Sequence, residues 1–64
     1  MNDSTLDDEI ACARRELAMR ERVYPRWIQA GRMTPEQSRH EIATMCAIVK
    51  RLERTRDLAR PSLF

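Results

Sequence analysis

Gly31-Arg32-Met33-Thr34-Pro35-Glu36-Gln37 decides the fold, because it carries the chain's only glycine followed at once by its clearest helix-start signal. Glycine takes the left-handed backbone conformation that closes a helix without a Cβ penalty. Thr34 can then cap the next helix with its hydroxyl, Pro35 suits the first helical position, and Gln37 is spaced to reach back to the cap. The stretch therefore predicts a helical arm before it, a turn over 31–33, and a second arm after it. Folded back on each other, the arms make an all-α antiparallel two-helix hairpin, a single domain spanning 1–64.

Working outward toward the N-terminus, Asp3, Ser4 and Thr5 compete as the first cap, with Asp7, Asp8 and Glu9 placed where acids favour a helix start. The first helix is expected over about 5–30. Its apolar residues recur at helical spacing as Leu6, Ile10, Ala13, Leu17, Tyr24 and Ile28, with Trp27 at the edge of the stripe. Arg20 interrupts that stripe. Its stem can lie on the core while its guanidinium reaches a carboxylate, and Glu16, four residues earlier, is in range. Pro25 removes a backbone donor inside the arm, yet Tyr24, Trp27 and Ile28 stay in phase with Leu17, so the expectation is one helix with a proline kink.

Outward in the other direction, a helix over 34–58 places Ile42, Met45, Val49 and Leu52 on one stripe, with Cys46 beside it and Ile48 broadening the band. Met19, Val23 and Cys12 form a comparable secondary strip on the first arm. One facing helix covers only a narrow seam, so these two strips predict a face that a second copy covers, giving a homodimer built as a four-helix bundle. The dimer and core set is thus Leu17, Met19, Val23, Ile42, Met45, Ile48, Val49 and Leu52. The tail over 59–64 follows, where Phe64 is either frayed or docked.

Size sharpens the case for a partner. A 64-residue chain buries only about 60 per cent of its unfolded surface, and cores of this size supply roughly 3–5 kcal/mol. Disulfides do not make up the difference: in an antiparallel hairpin Cys12 and Cys46 fall about 10 Å out of level, beyond the ~7 Å that a bridge spans. Both cysteines are expected to be buried as small hydrophobes. His40 and the two cysteines lack the paired spacing of a zinc site, and no metal or other cofactor is expected. Free thiols and the lack of a signal-peptide pattern suggest a cytoplasmic setting. There is no apolar run near the ~20 residues that cross a bilayer.

The net charge is +2, but its layout is uneven. Asp3, Asp7, Asp8 and Glu9 crowd the start, while Lys50, Arg51, Arg54, Arg56 and Arg60 crowd the end, so the two ends of a hairpin should attract each other. Catalysis needs a nucleophile with its base, or paired acids, in a cleft that excludes water. Two arms offer no such cleft. Ser38, Arg39, His40 and Glu41 are neighbours along a helix and point in different directions, and His40 is expected at the surface. A non-enzymatic binding module remains, for which Tyr24, Arg26, Trp27, Arg32 and Met33 near the turn are the candidate partner-binding residues, since aromatic and arginine anchors dominate interface energetics. The alternative is a nucleic-acid-binding dimer using Lys50, Arg51, Arg54 and Arg56 along phosphates.

The segments Arg22-Val23-Tyr24-Pro25-Arg26-Trp27-Ile28, Gly31-Arg32-Met33-Thr34 and Glu41-Ile42-Ala43-Thr44-Met45 are similar to small uncharacterised helical proteins encoded by phages and prophages of proteobacteria. The likeness covers about residues 16–52. That family carries no assigned activity, so no residue role transfers. What the resemblance implies is context: small phage proteins frequently bind a host protein, including regulators and defence factors, and block or redirect it. Arg14-Arg15 and the tail with Phe64 lie outside the likeness.

Overall fold

The computed structural model describes residues 4–59, and the expectation for Phe64 lies outside them. Helix α1 spans Leu6–Gln29 and helix α2 spans Pro35–Ala59, packed together as a hairpin about the connection 30–34. Among the described residues there is no strand.

Local chemistry accounts for each end of the connection. Gly31 has φ 75°, the left-handed region. Arg32 N–H donates to the Trp27 carbonyl at 2.9 Å and Gly31 N–H to the Ile28 carbonyl at 3.1 Å. Those two bonds are the Schellman closure, which satisfies carbonyls that the helix end would leave without donors. Three residues later Thr34 starts α2. Its Oγ1 accepts from Gln37 N–H at 3.1 Å while Gln37 Oε1 accepts from Thr34 N–H at 2.9 Å. The reciprocal pair is the capping box that the residue spacing predicts. At the start of α1 the choice among three caps falls on Thr5, whose hydroxyl accepts from Asp8 N–H while the Asp8 carboxylate accepts from Thr5 N–H, both at 3.1 Å. Asp8 does there what Gln37 does in α2.

The core is a thin seam. Ile10, Ala13 and Tyr24 are buried from α1, and Ser38, Met45 and Val49 from α2. Leu17 and Leu52 pack against the cluster of Ala13, Met45 and Val49. Ile10 is the most enclosed at 2 % exposure, and its burial contributes roughly 2 kcal/mol. Met19, Val23 and Ile42 are half-buried, so of the expected dimer and core set the single hairpin seals only Met45 and Val49. Ile48 is 42 % exposed and does not belong to the hairpin's core. It sits on the flank of α2, off the line that faces α1.

Two expectations are corrected by the same geometry. Cys12 is exposed and Cys46 half-buried, both as free thiols, because neither lies on the line where the helices meet. No ion pair joins Asp7, Asp8 or Glu9 to the basic end of α2 among the described residues. The arms are instead tied by Arg14 to Glu53 and by Arg20 to Glu41. Ser38 was missed as a core residue although it is buried and in phase with Ile42, Met45, Val49 and Leu52.

Pro25 lies inside the continuous α1. Lacking an N–H, it leaves the Glu21 carbonyl without its intrahelical donor. Apolar phase carries the helix through, since Tyr24 before the proline and Ile28 after it stay on the packed side.

Candidate interaction site

Arg20 anchors the middle of the hairpin and sets the platform for the turn end. Its Nε donates to Glu16 Oε2 at 2.8 Å, one turn earlier on α1. Its NH1 donates to the Glu41 backbone carbonyl at 3.1 Å and stands 3.7 Å from Glu41 Oε1. The side chain is 22 % exposed. The Glu16 hydrogen bond raises the Arg20 pKa, against the opposing pull of burial, with Tyr24 and the charges of Glu16 and Glu41 adding to the rise. A guanidinium so placed stays charged throughout the accessible pH range. The Glu16 partner was legible from the four-residue spacing. Glu41 was not, because only the packing of α2 brings it alongside.

Beyond Arg20, α1 presents Tyr24 inward and Trp27 to the side. The Tyr24 ring is 6 % exposed, whereas Trp27 is 38 % exposed. Their centroids are 5.5 Å apart with planes tilted by 33°, within the range where aromatic pairs attract beyond their buried area. Trp27 is therefore braced from beneath by a ring that does not itself reach far into solvent. Arg26 and Arg32 are exposed and Met33 is half-buried. Tyr24, Arg32 and Met33 also line a shallow groove with Gln37, His40 and Glu41. Of the candidate partner-binding residues, Trp27, Arg26 and Arg32 present surface, while Tyr24 and Met33 support it.

The basic residues of α2 divide differently. Lys50, Arg51 and Arg54 are exposed on the outward side of the helix. Arg56 is turned inward at 25 % side-chain exposure, and its Nε lies 3.4 Å from Asp57 Oδ1. A phosphate-tracking surface would thus have three of the four cations available. Among the described residues no group of three histidine, cysteine or acidic side chains is placed to hold a metal ion. Among the same residues no helix is long and apolar enough to cross a membrane.

Comparison with protein-family models, curated proteins and solved structures finds no match to this chain.

Proposed function

We propose that this chain is a small non-enzymatic binding module, phage or prophage encoded, which acts as a homodimer in the cytoplasm of its bacterial host and inhibits or redirects a host protein such as a regulator or defence factor. One observation carries the binding role. A half-exposed tryptophan stands braced on a buried tyrosine, with arginines beside it. Holding a large aromatic in one place before the partner arrives reduces the ordering cost of association. In this reading a bend at Pro25 tilts the segment bearing Arg26 and Trp27 toward that partner. The phage setting rests on the resemblance of residues 16–52, and dimerisation on the apolar flank that one hairpin leaves exposed.

The test is affinity purification from a proteobacterial host, with the mass of the recovered complex measured. Trp27→Ala should weaken retention of the co-purifying protein about 30-fold, the effect of losing an interface anchor worth ~2 kcal/mol, while circular dichroism still reports a helical hairpin. Unchanged retention would remove the turn-end cluster from the interface. Leu58, 87 % exposed at the far end of α2, is the matched control: Leu58→Ala should leave retention unaltered.

The second reading, a nucleic-acid-binding dimer, is favoured by Lys50, Arg51 and Arg54 sharing the outer side of α2. Replacing them with alanine separates the two. Binding to DNA would fall together with its salt dependence, whereas a protein complex held through Trp27 would survive.

A further inference from the structure

Beside its core stripe, α1 carries a second row at alternating three- and four-residue spacing: Glu9, Cys12, Glu16, Met19, Val23 and Arg26. That is the spacing of a seam along which a second helix can lie. Its middle is the apolar flank left unpaired within the hairpin, with Cys12 exposed and Met19 and Val23 half-buried.

Helical phase, read from the Arg20 bridge, places Ile48 on the same flank. Arg20 bridges Glu16 of this row to Glu41, and Ile48 lies seven residues, two turns, beyond Glu41 on the same line of α2. The level is also set. Arg20 pairs with Glu41 and Arg14 with Glu53, so Ile48 falls beside α1 midway between Arg14 and Arg20.

The row is complementary to itself when turned end for end. A twofold axis passing between Leu17 and Ala18 sets Glu9 opposite Arg26 of the second copy, Cys12 opposite Val23, and Glu16 opposite Met19. Acid meets base at both ends, Cys12 meets Val23 inside them, and Glu16 meets Met19 nearest the axis. Glu16 enters with its charge already held by Arg20 at 2.8 Å. Ile48 of each copy comes next to the axis. A parallel arrangement would put Glu9 on Glu9 and Arg26 on Arg26, like charge on like charge. Neither Glu9 nor Arg26 has an ion-pair partner among the described residues of its own hairpin.

We propose that the occupant of this flank is a second copy of the chain, joined through antiparallel contact of the two α1 helices about that axis, with Ile48 of each α2 closing the centre. The assignment rests on the homodimer reading and adds its geometry. An isologous contact of this kind uses the same residues on both copies, which leaves the outer basic side of α2 facing away from the axis for other partners.

Cysteine placement supplies the experiment. Across the proposed axis the two native Cys12 residues are eleven positions out of level, about 16 Å, beyond the ~7 Å of a disulfide, whereas Cys12 faces position 23. In a Cys46→Ala background, Val23→Cys should give a covalent dimer under mild oxidation, and the parent lacking that cysteine should not. Sedimentation of the same proteins under reducing conditions gives the oligomeric state independently. Glu9→Arg should weaken dimerisation about tenfold, because each pair occurs twice, and adding Arg26→Glu should restore it. Both positions are exposed, so the swap tests the geometry even where Val23→Cys loses helicity. A reducing-condition dimer that neither cross-links through position 23 nor responds to the swap overturns the geometry and leaves the homodimer reading standing. Cross-linking of the parent through Cys12 alone means that the two Cys12 residues lie level, in another register or direction, and also overturns it. A monomer throughout overturns both.

Discussion

The two ends of the hairpin are held by different forces. At the turn end, directional bonds accumulate within a few residues, in the Schellman closure over Gly31 and the Thr34 and Gln37 box, and the Arg20 bridge to Glu16 and Glu41 adds to them at mid-hairpin. At the open end the Thr5 and Asp8 box fixes only the start of α1, and the seam between the helices depends on apolar contact, with Ile10 and the cluster of Ala13, Met45 and Val49, and one exposed clasp from Arg14 to Glu53. Directional bonds specify a conformation and contribute about 1 kcal/mol each, while burial contributes more per residue and specifies less. The difference teaches that geometry in this chain is set near the turn and stability is set far from it.

Three substitutions would break or sharpen that contrast. The largest effect is expected at the open end: Ile10→Ala removes the most enclosed side chain and should cost about 2–4 kcal/mol, comparable to the ~3–5 kcal/mol available to a core of this size. Thermal melts followed at 222 nm should show the folded population lost or nearly so. A cost below about 1 kcal/mol would mean that the seam at this end is not what stabilises the hairpin. Next comes Arg20→Met, which retains an unbranched stem while leaving Glu16 and the Glu41 carbonyl without their donor. A loss of about 1–2 kcal/mol is expected from denaturant titration, with amide exchange rising around the Glu41 level of α2. The smallest effect belongs to Arg14→Ala. Arg14 is 55 % exposed, so water screens its pairing with Glu53, and the change should stay within about 0.5 kcal/mol. If Arg14→Ala proved as costly as Arg20→Met, the contrast between the ends would disappear.

Which parts were readable beforehand follows the same division. Gly31, Thr34, Pro35 and Gln37 interact with near neighbours in the chain, so their spacing was enough to place the stop and the start. The Arg20 to Glu16 bond is another contact within one turn and was legible for the same reason. Thr5 could not be chosen over Asp3 and Ser4, because all three side chains can cap and the winner depends on where Leu6 must point to reach the seam. Ser38 was in phase with the apolar stripe but was passed over as polar. Ile48 and Cys12 were read as part of apolar strips beside the narrow seam, and both are exposed on the hairpin.

The candidate site divides likewise. That Trp27 and Tyr24 lie three residues apart put them on neighbouring lines of α1, and residue type suggested an anchor. Helical phase put Tyr24 on the packed stripe and Trp27 at its edge; how far each is covered came from the packing of α2, which leaves 6 % of one and 38 % of the other exposed.

From its residues alone the chain determined two helices, their stop and start, and the phase of their apolar stripes, since each of these is a relation between groups no more than a few positions apart. Tertiary structure decided the level at which the arms meet, the Arg20 to Glu41 and Arg14 to Glu53 ties, the burial of Ser38 and the exposure of Ile48. Those depend on how closely and at what rotation two rods approach, a balance summed over every side chain in the seam and carried by no single local signal.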